Sequence, residues 1–88
     1  MTERKISAHA RAQAARRGID GATLTRIAEQ PEQVVEVRPG REVRQSRIQD
    51  PTEGKGYLVR VFVDIDAGQE TVITVYKTSK IAKYWRAS

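Results

Sequence analysis

Apolar and polar residues change rhythm near Val34. Before it, alanine and aliphatic residues recur every three or four positions, as on a helix face. After it, valine-rich stretches alternate with polar residues, as on a strand. Ser7 stands as an N-cap before the alanine-rich "AHARAQAARR". Gly18 takes the C′ position that ends this helix, with Ile19 supplying the contact that follows such an end. Asp20 caps a second helix, "GATLTRIAEQ", which turns Leu24, Ile27 and Ala28 inward and stops at Pro31.

Four strands are expected beyond that point. "VVEVR" leads through the turn "PGRE" into "EVRQSRI", whose polar character places it at an edge or against a wet groove. After the loop "QDPTEGKG" come the two strongest strands, "YLVRVFVDI" and "TVITVYK", joined by the hairpin turn "DAGQE". The tail "SKIAKYWRAS" either makes a final helical turn or packs against the sheet. Short connections imply hairpins. The expected fold is therefore α+β, with two N-terminal helices packed on one face of a mainly antiparallel four-stranded sheet.

Alternation gives each strand two rows of side chains. Tyr57, Val59, Val61 and Val63 form one row of the third strand, and Leu58, Arg60, Phe62 and Asp64 the other. In the fourth strand Ile73 and Val75 oppose Val72, Thr74 and Tyr76. With the valine rows under the helices, Arg60, Phe62, Thr74 and Tyr76 share the open face. Arg44 or Arg47 joins them, depending on register.

Composition narrows the field. At 88 residues the chain is a single domain spanning 1–88, and 39% hydrophobic with 31% charged residues is the balance of a folded protein. The absence of cysteine rules out disulfides and thiolate metal sites, and one histidine argues against a zinc site, so neither metal nor cofactor is expected. No apolar run approaches the roughly 20 residues needed to cross a bilayer. "MTERKISAHA" lacks the apolar segment of a signal peptide, and the expected location is the cytoplasm.

Sixteen basic against eleven acidic residues give a net charge of +5, and eleven of the sixteen are arginine. Arginine favours bidentate contacts to phosphate, so an anionic partner is expected, either nucleic acid or an acidic protein. A face bearing arginine, aromatic and hydroxyl groups suits a polyanion that carries bases, although a half-solvated sheet face has the same composition. His9 shares its helix face with Gln13 and Arg16, and Arg17 lies close by. Arg16, Arg17 and Lys77 extend the basic surface. Either Ala8, Ala12 and Ala15 or Ala10 and Ala14 lie against the sheet. This spacing permits His9 a catalytic role and equally an ordinary exposed one.

Three segments together resemble the domain-of-unknown-function family 4258. They are "HARAQAARRGI", "IAEQPEQV" and "VRVFVDIDAGQETVITVYKT", covering roughly Ser7 to Thr78. That resemblance implies a RelE-like fold within the superfamily of barnase-, EndoU-, colicin- and RelE-type toxin ribonucleases. It further implies metal-independent RNA cleavage on a basic sheet face. By the same resemblance His9 is the general acid or base, Arg60 binds phosphate, and Thr74 and Tyr76 match a closing Thr-x-Tyr. The chain departs from the family pattern at Gln13, where arginine is common, and in its long, arginine-rich second strand.

Such cleavage needs a base for the 2′-hydroxyl, an acid for the leaving 5′-oxygen and cations for the phosphoryl oxygens. Histidine suits the proton transfers. Arg60, with Arg44 or Arg47, carries the phosphate, and the second proton-transfer group is Tyr76, Lys77 or a carboxylate. The leading expectation is a toxin-type ribonuclease restrained by an acidic antitoxin-like protein. The alternatives are a non-catalytic nucleic-acid-binding module and a protein-interaction domain that pairs through a strand edge.

Overall fold

A computed structural model describes residues 4–50 and 52–87. Its elements in chain order are β1 (Arg4–Ile6), α1 (Ala8–Arg16), α2 (Gly21–Glu29), β2 (Gln33–Arg38), β3 (Arg41–Gln49), β4 (Gly56–Asp66), β5 (Gln69–Thr78) and α3 (Ile81–Tyr84). The fold is α+β, with a five-stranded mixed sheet in place of the expected four antiparallel strands. Strand order is β1-β5-β4-β3-β2. The additional strand, β1, runs parallel to β5, with Ile6 opposite Val72. Three residues are too few to show alternation, and their partner lies far along the chain.

Local chemistry sets both N-terminal helices. Ser7 Oγ accepts from the Ala10 amide at 3.0 Å, and Asp20 Oδ1 from the Thr23 amide at 2.7 Å. At the end of α1, Ile19 N–H reaches the Ala14 carbonyl and Gly18 N–H the Ala15 carbonyl. These two bonds make a Schellman motif. Gly18 holds φ +70°, a conformation that costs a residue with a Cβ. Ala10 and Ala14, rather than Ala8, Ala12 and Ala15, are the buried alanines.

The core lies between these helices and one sheet face. Ile19, Leu24 and Ile27 meet Val59, Val61, Val63, Val72 and Val75 there. Burying each of these aliphatic side chains contributes about 1.5–3 kcal/mol. Val72 therefore leaves the row expected for it and joins Val75. The cause is a bulge at Ile73: β4 and β5 pair Val63 with Val72 but Phe62 with Thr74. The extra residue lets two valines three positions apart face the same way.

Of the two placements expected for it, β3 does not take the edge. It lies inside the sheet, between β2 and β4, and Val43, Arg44, Gln45 and Ser46 are buried. Its polar side chains find partners on both faces. β2 is the edge strand instead, with Val34 and Val37 about half exposed. Among the described residues, no helix is long and apolar enough to cross a membrane.

Candidate functional site

The open face of the sheet is built around one cross-strand row. Register places Gln33 opposite Gln45, Gln45 opposite Arg60, and Arg60 opposite Tyr76. The chain after β5 folds back over this row. Gln45 Nε2 donates to the Tyr84 carbonyl at 3.2 Å and to Gln33 Oε1 at 2.8 Å. Gln33 in turn donates to the Arg86 carbonyl at 2.6 Å and accepts from the Arg86 amide at 3.0 Å. A side-chain amide thus pairs with the tail as a neighbouring strand would.

Arg60 is fixed within this lattice. Its Nε donates to Gln45 Oε1 at 2.9 Å, and its guanidinium lies 4.3 Å from the centre of the Tyr84 ring and 5.6 Å from that of Phe62. Cation–π contacts of this kind orient a guanidinium without neutralising it. Arg60 makes no ion pair with any described residue. The other partly buried strand arginines all do: Arg4 with Glu29 and Glu70, Arg41 with Asp64, and Arg44 with Glu42 and Glu70. Burial lowers the Arg60 proton affinity, and the Arg86 charge adds to that, while Tyr84 and Tyr76 oppose it. The group still carries its charge at any physiological pH. Arg60 is therefore a positioned cation without a built-in anion.

Tyr76 and Tyr84 meet edge to face, with ring centres 5.9 Å apart and planes at 78°. The Tyr76 hydroxyl chiefly, with the Lys83 and Arg60 charges, holds the Tyr84 phenol below its ordinary value. Two depressions flank the pair. One, between α1 and β5, is lined by Gln13, Arg16, Arg17, Val75 and Tyr76. The other is a recess of about 200 Å³ lined by Arg60, Lys83, Tyr84, Trp85 and Arg86. The Tyr76–Tyr84 contact links them into one cationic, ring-bearing surface.

The remaining candidate residues are distributed as follows. Arg44 faces the helices, 8% exposed, and donates to the Ala28 carbonyl and to Glu70. Register thus turns it away from the open face. Arg47 does share the Arg60 face, but it is ion-paired with Glu32 and lies 4.2 Å from the centre of the Trp85 ring. Thr74 pairs with Phe62 in the next row. Lys77 lies on the helix side, donating to the Arg17 carbonyl and sitting 4.4 Å from the Tyr57 ring centre. His9 is exposed on α1, lines neither depression, and makes no hydrogen bond or ion pair with the described residues. One turn further on, Gln13 accepts from the Val75 amide, so the glutamine anchors α1 to β5.

Gln33, Gln45, Lys83, Tyr84, Trp85 and Arg86 were not singled out by sequence reasoning. The aromatic pair flanked by basic residues in "KYWR" is a signal for the last four, and nothing in the sequence marks the two glutamines. No group of three or more His, Cys, Asp or Glu side chains able to hold a metal occurs among the described residues.

Fold and surface define a small basic α+β domain whose open sheet face presents an arginine that is set among aromatic rings and makes no ion pair with the described residues. The model of the domain-of-unknown-function family DUF4258 matches residues 6–77, and the chain belongs to that family. No curated protein and no solved structure matches the chain.

Proposed function

We propose that this chain is a ribonuclease of the RelE-like toxin type, acting on RNA in the cytoplasm without a metal and restrained by an acidic antitoxin-like protein. The observation that carries this reading is Arg60, a fixed and partly buried cation with no carboxylate partner among the described residues. An RNA phosphate supplies the missing anion, and Arg60 then stabilises the charge that builds on the phosphoryl oxygens. The 2′-oxygen attacks phosphorus and gives up its proton, the bond to the 5′-oxygen breaks, and that oxygen takes a proton from an acid. The products are a 2′,3′-cyclic phosphate and a 5′-hydroxyl. The family resemblance gives His9 one of the two proton transfers, and the phenols of Tyr76 and Tyr84, which meet edge to face beside Arg60, are the groups placed to donate a hydrogen bond to the phosphate.

A second reading has its own support. His9 touches none of the Arg60 group, an arrangement that suits a module that binds RNA and leaves it intact. Incubating labelled mixed-sequence RNA with the protein in EDTA separates the two. The ribonuclease reading expects cleavage by the wild type and a loss of about 100- to 10,000-fold in His9→Ala. Cleavage unchanged in His9→Ala removes that histidine from the chemistry. Wild-type binding with no cleavage at any salt or pH leaves the binding module.

A further inference from the structure

We infer that the C-terminal segment Lys83–Arg86 is a reading head for single-stranded RNA, taking a phosphate between Arg60, Lys83 and Arg86 and stacking an unpaired base on Trp85. This inference rests on the RNA-binding part of the proposed function and names the form of RNA that the site accepts.

The chemistry of the recess points to a phosphate. Its five lining residues are three cations and two aromatic residues, with no carboxylate among them. At about 200 Å³ it is smaller than the roughly 300–1,000 Å³ of pockets that enclose whole small molecules. A phosphate enters such a space while its base remains outside, against whatever ring lies at the rim.

Trp85 provides that ring. It is half-buried, with the Arg47 guanidinium 4.2 Å from the ring centre, and it also lines the recess. Its backbone neighbours are both held: the Tyr84 carbonyl by Gln45, and the Arg86 amide and carbonyl by Gln33. The ring therefore stands ready before any ligand arrives, which spares the ordering cost of binding. The Arg47 guanidinium covers one face of the ring, so a base would stack on the other. Bases within a duplex are already stacked on one another, so only an unpaired base reaches Trp85.

The recess is also a composite. Arg60 lies within the stretch matched by the family model, whereas Lys83, Tyr84, Trp85 and Arg86 lie beyond its last matched residue, 77. The phosphate site thus draws one cation from the family-matched stretch and two from the segment that also carries the stacking ring.

Trp85 is the chain's single tryptophan, so its fluorescence reports on this site alone. The full chain is titrated with an unstructured 2′-O-methyl RNA, which lacks the attacking hydroxyl, and separately with a duplex of the same sequence. The single strand is expected to quench Trp85 and the duplex to leave it nearly unchanged. By anisotropy of labelled RNA, Trp85→Ala weakens single-strand binding roughly 5- to 150-fold, and Trp85→Phe recovers most of it. Single-strand binding without quenching, or at equal strength in Trp85→Ala, overturns the reading head but leaves the proposed function standing. Failure of the wild type to bind any RNA at low salt removes both. Should Trp85→Ala fail to fold, wild-type quenching by single strand against duplex still decides the matter.

Discussion

Arg44→Ala is expected to lower the unfolding free energy by about 3–5 kcal/mol, the scale for breaking a buried ion pair. Only 10% of the Arg44 side chain is exposed, and 13% of the Glu70 side chain that faces it. The guanidinium joins β3 to β5 through Glu70 and also donates to the Ala28 carbonyl at the end of α2. Removing it takes a donor from the Ala28 carbonyl and leaves the Glu70 carboxylate with Arg4 in place of two arginines. A domain of this length has about 4–13 kcal/mol of stability, so the loss is a large share of the whole. Arg47→Ala is the contrast. Its pair with Glu32 is exposed, and its removal costs under about 1 kcal/mol. Urea unfolding of the two variants measures both, and a loss below about 1 kcal/mol in Arg44→Ala would show the buried network to be dispensable.

The same network predicts a pH dependence. Hydrogen bonding from Arg44, above all, holds the Glu70 carboxyl below its ordinary value, with burial opposing and Arg4 assisting. An acid depressed in the folded state stabilises above its unfolded value, near pH 4.3, and that contribution disappears as the pH falls through the folded value. Glu70→Gln is therefore less stable than the wild type at neutral pH. Below about pH 4 the two unfolding curves converge. A gap that persists into strong acid would assign the difference to packing instead.

Arg60→Ala has the largest expected effect on function. In the proposed reaction it loses a donor aimed at the developing charge, and cleavage falls by about 100- to 1,000-fold. Binding loses one phosphate contact, so the dependence of log affinity on log salt becomes shallower by roughly 0.7. Arg60→Lys keeps the charge but lacks the planar guanidinium that meets Gln45 and the Tyr84 ring, and falls between the two. Arg38→Ala, an exposed change at the end of β2, leaves both quantities unaltered. Unchanged cleavage and salt slope in Arg60→Ala would remove the central residue of the proposal.

The parts of the fold legible in the sequence are those specified over three or four residues. Ser7, Gly18 and Asp20 act on their immediate neighbours, and the helices they bound lie where their spacing indicates. β1 was hidden because its only strand partner lies some 66 residues away. The polar character of β3 reads equally as an edge or as a wet groove, because its interior place depends on distant groups: Glu70 for Arg44, and the tail for Gln45.

The site shows the same division. Counting back from the β4–β5 turn, where Asp66 pairs with Gln69, strict pairing would set Arg60 opposite Val75. The bulge at Ile73 shifts the count by one and brings Tyr76 there instead, leaving Val75 with the core valines. No residue type in "TVITVYK" announces that shift. That the tail packs against the sheet is one of two readings open to the sequence, but which row it covers is not legible there, since that rests on glutamine amides from β2 and β3.

The border of β5 has a wider meaning. Where β1 ends, Ser7 N–H takes the Val72 carbonyl, Ser7 Oγ the Ile73 carbonyl, and Gln13 the Val75 amide. The chain thus seals its own hydrogen-bonding groups on that side, and β1 beyond them is three residues long and carries Arg4 and Lys5. Among the described residues β2 offers the longer open border, with Val34 and Val37 about half exposed, so a strand added by a partner would meet the sheet there rather than beside β1.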